Sequence, residues 1–233
     1  MAMLRSLIWL GCLAQRVISA PVENQQALLS PSAIEVLDSE EYILRVTTTF
    51  DAVDLKDGQI EPLESYGYLD FDGYKIFEPK SAAAKGLLNK TDVDCAVAGS
   101  NALLLMPNEH DAPFIFKANE TALAGLNVSN YFDFISVGIK PLSLNGSSSW
   151  VTGTLNAWSL KDGVAENVQE IYLGFYGEDG HFDPWELQPN AYIANWGEKV
   201  NLIEFKGEDE DGNSVPFCID NIVLEYHRSH DDE

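Results

Sequence analysis

Tyr42-Ile43-Leu44-Arg45-Val46-Thr47-Thr48-Thr49-Phe50 is the stretch that decides the fold class. Eight of its nine residues are β-branched, aromatic or leucine, the types that fit a pleated, half-buried surface, and glycine and proline are absent. Similar runs recur at short intervals: Ala102 to Met106, Phe114 to Phe116, Tyr131 to Leu144, Trp150 to Leu160, Glu170 to Tyr176, Val200 to Phe205 and Phe217 to Tyr226. Between them stand Asp57-Gly58, Asp72-Gly73, Asn145-Gly146, Asp162-Gly163, Asp179-Gly180 and Asp211-Gly212, dipeptides that accept the positive φ of tight turns. The helical candidate is Lys80 to Leu88, where Ser81-Ala82-Ala83-Ala84-Lys85 can make a turn or two before Gly86 stops it. No long face of period 3.6 exists, which excludes helical bundles and doubly wound α/β folds. The expected architecture is all-β, a two-sheet antiparallel jelly-roll sandwich over residues 42–228. Residues 20–41 form an acidic N-terminal arm and 229–233 a polar tail.

The start of the chain has the pattern of an export signal. Arg5 precedes an apolar run from Leu7 to Ala14, and the small residues Val17 and Ser19 follow. Residues 1–19 are therefore expected to be cleaved, giving a mature chain that begins at Ala20. The run is well short of the roughly 20 apolar residues a membrane span needs. Four sequons, at Asn89, Asn119, Asn127 and Asn145, fit a secreted glycoprotein. Cys12 leaves with the signal, so Cys95 and Cys218 remain as a lone pair in an oxidising compartment and are expected to form a disulfide.

The chain carries 14 basic and 37 acidic residues, a net charge of −23, and loss of Arg5 and Arg16 makes it more acidic still. Such a field repels phosphate, so nucleic acid and anionic membranes are disfavoured as partners. The acidity also keeps a secreted protein soluble.

Along Ile171-Tyr172-Leu173-Gly174-Phe175-Tyr176, alternation sends Ile171, Leu173 and Phe175 to one face and Tyr172 and Tyr176 to the other, with Gly174 leaving room between them. The apolar set belongs to the core, so the tyrosines face solvent. Exposed aromatic rings can stack on the apolar side of a pyranose. Trp158, which shares the parity of Asn156, and the loop residue Trp185 are further candidates for that surface. Taken singly, Trp150, Trp158 and Trp196 are more readily explained as packing.

The loop from Gly177 to Pro189 contains Glu178, Asp179, His181, Asp183 and Glu186. Glycoside cleavage needs two carboxylates held across a cleft, and spacing within one acidic loop does not supply that. Gly207-Glu208-Asp209-Glu210-Asp211-Gly212 lacks the spacing and closing glutamate of an EF-hand and is expected to be a solvated hairpin tip.

Several short motifs resemble those of secreted, mostly fungal proteins with a galactose-binding-like jelly roll. They are Phe50-Asp51, Tyr66-Gly67-Tyr68-Leu69, Gly99-Ser100-Asn101-Ala102, Phe132-Asp133-Phe134-Ile135-Ser136 and Phe217-Cys218-Ile219-Asp220-Asn221-Ile222. The resemblance spans residues 50–222. It implies carbohydrate recognition, and it implies a structural calcium where the first and last strands meet, with Asp51, Asp54 and Asp220 as oxygen ligands. The functional expectation is a non-catalytic secreted module that binds an extracellular or cell-wall glycan. The alternatives are a secreted effector-like protein that binds a host or surface protein, and a carbohydrate-active enzyme.

Overall fold

A computed structural model of the chain describes residues 33–38, 43–56, 59–106, 114–142, 150–177, 182–183, 185–187 and 200–228. Two antiparallel sheets pack face to face, which is the expected sandwich. The larger sheet contains β1 (Ala33–Asp38), β2 (Ile43–Thr48), β3 (Glu61–Pro62), β6 (Tyr74–Phe77), β7 (Ala102–Leu105), β9 (Val128–Pro141), β12 (Trp185–Leu187) and β14 (Phe217–Arg228). The smaller runs in the order β11 (Val164–Tyr176), β10 (Trp150–Lys161), β13 (Leu202–Asp209), β8 (Phe114–Ala118), β5 (Leu69–Asp72) and β4 (Ser65–Tyr66).

The closing strand β14 organises the larger sheet. One of its edges pairs with β9 along most of its length, and the other pairs first with β7 and then with β2. The quoted opening stretch becomes β2, with Leu44, Val46 and Thr48 buried in strict alternation. β1 lies within the segment expected to be an arm and pairs antiparallel with β2. Its charges did not suggest a strand, but they suit an edge, where Ile34, Glu35 and Val36 are exposed.

Aromatic rings fill the space between the sheets. Phe217 of β14 meets Phe175 of β11 and Phe205 of β13 edge-on, with centroids 5.5 and 4.8 Å apart. Phe116 of β8 meets Phe134 of β9 in the same manner at 6.0 Å. Such T-shaped pairs place the positive edge of one ring on the negative face of the next.

A second apolar layer covers the outer side of the larger sheet. It is built from α1 (Pro79–Ala84) and a 3-10 helix (Lys90–Cys95), which pack Ala82, Ala83, Leu88 and Cys95 against Phe77, Leu104 and Cys218. β7 is thereby covered on both faces, which explains why it reads as the unbroken run Ala-Leu-Leu-Leu rather than as an alternation. The helix expected around Lys80 forms as α1, and Gly86 follows it at φ 71°. The Cys95–Cys218 disulfide also forms, tying the 3-10 helix to the closing strand.

The hairpin from β10 to β11 shows how local chemistry sets register. Asp162 and Gly163 take φ of 53° and 77°, the left-handed pair that a two-residue turn requires. Val151, Gly153, Leu155 and Ala157 then face the core together with Leu173 and Phe175. The opposite parity of both strands is left on the outside, and that side carries the candidate site.

Candidate functional site

The outer face of the smaller sheet presents three aromatic rings on neighbouring strands. Tyr172 and Tyr176 are 74% and 78% exposed, as their parity required. Trp150 is 41% exposed and lies directly across from Tyr176, with the two rings parallel within 9° and their centroids 6.1 Å apart. This corrects the expectation that Trp150 packs inside. On the same strand, Thr152, Thr154 and Asn156 share its parity and stand on the same face.

Gly174 separates the stacked pair from Tyr172. A Cβ at Gly174 would lie 3.7 Å from Trp150 Nε1 and 3.8 Å from the Tyr176 ring, so any longer side chain would fill the gap. At about 3.4 Å per residue, Tyr172 and Tyr176 are spaced roughly 14 Å along the strand, which exceeds the width of one pyranose ring. Tyr172 donates its hydroxyl hydrogen bond to Glu170, and that bond is the main reason its pKa is raised, keeping the phenol neutral.

The other two tryptophans behave differently. Trp158 shares the face, opposite Leu202 of β13, but it is half-buried, and its buried Nε1 has no hydrogen-bond partner among the described residues. Trp185 does not join the platform. It lies in β12, which pairs with β9 at Ile139 and so belongs to the larger sheet. Glu186 follows it opposite Gly138, while Glu178, Asp179 and His181 lie outside the described residues.

Further along the same outer face, a cleft of about 350 Å³ opens between β5, β8 and the ends of β10 and β13. Leu160, Leu202 and Ile115 give it an apolar floor, and Asp70, Asp72 and Lys117 give it charge. Asp70 is set opposite Lys117 by the β5–β8 register. A second cleft, about 260 Å³, adjoins it through Asp70, Lys117 and Leu160 and reaches Asn119 and Thr121. No sequence signal pointed to these residues, because the register alone brings them together.

Asp51 and Asp220 do converge, and they converge on the loop 97–101. Asp51 Oδ1 accepts hydrogen bonds from the backbone N–H of Ser100 (2.6 Å) and Asn101 (3.1 Å). Asp220 accepts from the N–H of Ala98 (2.8 Å) and of Asn221 (2.7 Å). Gly99, at φ 120°, passes so close that a Cβ there would sit 1.7 Å from Asp51 Oδ2, so no other residue fits. Asp54 is exposed. Among the described residues no three His, Cys, Asp or Glu side chains are grouped to hold a metal ion. The two carboxylates that meet here direct their oxygens at backbone amides.

Burial raises the pKa of Asp220 from 3.8 to about 6; the nearby charge of Asp51 adds to the rise, and the N–H bonds oppose it. Its native form therefore holds a proton more tightly than its unfolded form. The stability this contributes is complete below about pH 4, declines as pH rises toward 6, and is gone above that. Asp220→Asn cannot titrate, so the stability of the parent relative to this variant should fall by roughly 3 kcal/mol between pH 4 and 7. Urea unfolding at several pH values measures the difference, and a flat profile would contradict the assignment.

Of the four sequons, Asn89 and Asn127 are exposed, Asn119 is half-buried, and Asn145 lies outside the described residues.

Together these features define an all-β protein, a two-sheet antiparallel sandwich with one disulfide and an aromatic outer face on its smaller sheet. A solved structure with the same fold is a DUF4465 family protein from Bacteroides caccae ATCC 43185, with a TM-score of 0.52 and 11% sequence identity. The match covers 77% of this chain and 98% of that one, and at this identity it concerns the fold alone. No protein-family model matches the chain, and no curated protein does.

Proposed function

We propose that this protein is a secreted, non-catalytic module that binds an extracellular or cell-wall glycan on the outer face of its smaller sheet. The observation that carries this reading is the platform of Tyr172, Trp150 and Tyr176, three exposed rings on two hydrogen-bonded strands. Rings that face water in a row cost solvation free energy, and a sugar's C–H face offsets that cost by stacking. Thr152, Thr154 and Asn156 supply hydroxyl and amide groups beside the rings for the sugar's hydroxyls. The resemblance to secreted galactose-binding-like jelly rolls, and the export signal and sequons, agree with this placement outside the cell.

Retention on insoluble polysaccharides, read alongside a glycan array, tests the proposal. Tyr172→Ala combined with Tyr176→Ala removes two stacking contacts, each worth about 0.5–1.5 kcal/mol beyond buried area, and should weaken binding by roughly tenfold or more. Both side chains are exposed and the folded state loses only the Trp150–Tyr176 stack, so the double variant should unfold within a few degrees of the parent. Absence of retention on every polysaccharide would sink the glycan reading and favour a protein partner. Release of reducing ends would indicate an enzyme instead.

A further inference from the structure

The sequons differ in what their amide nitrogens are doing. At Asn119 the side chain is a brace. Its Oδ1 accepts from the backbone N–H of Ala122 at 2.9 Å and so caps α2 (Glu120–Leu123). Its Nδ2 donates both hydrogens, one to Ser65 Oγ at 2.9 Å and one to Asp70 Oδ1 at 2.7 Å. At Asn89 the side chain also caps, accepting from Thr91 N–H at 3.4 Å, but its Nδ2 is exposed and bonds to no described residue. Asn127 is exposed in the left-handed turn before β9, and its amide likewise has no described partner.

From this difference we infer that Asn89 and Asn127 carry N-linked glycans in the folded protein and that Asn119, despite its intact sequon, does not. The inference rests on the proposal that the chain is secreted. In N-glycosylation one Nδ2–H bond and the bond from sugar C1 to the diphosphate of a lipid-linked oligosaccharide break. The Nδ2–C1 bond forms, and the proton leaves with the lipid diphosphate. A modified Asn keeps a single N–H, so Asn119 would lose one of its two donated bonds. The sugar would also have to occupy the space now filled by Ser65 or Asp70. A chain modified there folds poorly, because a half-buried acceptor loses its donor and the cap is strained. Asn89 and Asn127 are exposed, and modification there breaks no bond to a described residue. The bare Asn119 keeps the adjoining cleft beside Asp70 and Lys117 open.

The test is a site-occupancy map of the full chain secreted by a eukaryotic host. Enzymatic release of N-glycans in heavy-oxygen water converts each modified Asn to labelled Asp, so mass spectrometry scores each site. Labelled Asn89 and Asn127 with unlabelled Asn119 is the expected result. Label on Asn119 in the folded protein, or none on Asn89 and Asn127, overturns it. Two variants separate the brace from the sequon. Thr121→Ala destroys the sequon and should leave both the glycan mass on the chain and the melting temperature unchanged. Asn119→Gln should lower the melting temperature by roughly 2–8 °C, as expected for a lost cap and cross-brace. Equal melting temperatures for Asn119→Gln and the parent would contradict the brace. Lack of secretion by the host would distinguish failure of the secretion proposal from failure of the site assignment.

Discussion

Replacing Cys95 and Cys218 together by alanine is expected to remove roughly 5 kcal/mol of unfolding free energy, the chain-entropy value for a crosslink between residues 123 apart in sequence. That is a large share of the 5–15 kcal/mol that holds a typical domain together. The effect acts mainly on the unfolded chain. In the folded state both cysteines are buried against Leu104 and Ala82, so alanine leaves only two small voids. Without the bridge the unfolded ensemble expands, and the denaturant slope should therefore increase while the midpoint falls. Urea titration of the double variant beside the parent measures both quantities. A loss below about 1 kcal/mol would show that the bridge adds little to the packing of the 3-10 helix against the closing strand.

The disulfide was legible because the expected loss of Cys12 with an export signal leaves a single pairing. The strands were legible where β-branched and aromatic residues run long enough for alternation to be counted, as in β2, β10 and β14. In β11 the same alternation correctly placed Tyr172 and Tyr176 on the outside. It failed for strands of two to four residues such as β3 to β6, whose runs are too short for any period. It failed for β1, because acidic side chains are tolerated on an edge and resemble a solvated arm. Trp150 was misplaced by the general preference of tryptophan for the interior, and only its register with Tyr176 puts it outside. Trp185 was read as a loop residue beside the tyrosines, but it lies in β12, which pairs with the other sheet. The Asp70–Lys117 cleft depends wholly on register, which no local pattern encodes.

Lys140→Met should cost about 3–5 kcal/mol, although a lysine near the end of a strand reads as an ordinary surface residue. Lys140 stands opposite Cys218 in the β9–β14 register, and its side chain points away from the sandwich core. On an uncovered sheet it would be solvated. Here the 3-10 helix lies over it, and both Lys140 and Asp92 have side chains with 0% exposure, separated by 3.5 Å. The ammonium also donates to Asp94 and, at 3.1 Å, to the carbonyl of Thr91. Methionine keeps the volume of the stem but takes the counter-ion away from the buried Asp92 carboxylate, which is costly because water does not reach that site to replace the lost ammonium. Asp94 is partly exposed and suffers little. Adding Asp92→Asn to Lys140→Met removes the stranded charge and should recover much of the loss. A Lys140→Met variant within 1 kcal/mol of the parent in urea unfolding would refute the buried pair. The ion pair and the disulfide hold the same helix to neighbouring strands, so their effects should not add. With the bridge already absent the helix can lift away and hydrate Asp92, and Lys140→Met should then cost less than it does in the bridged protein.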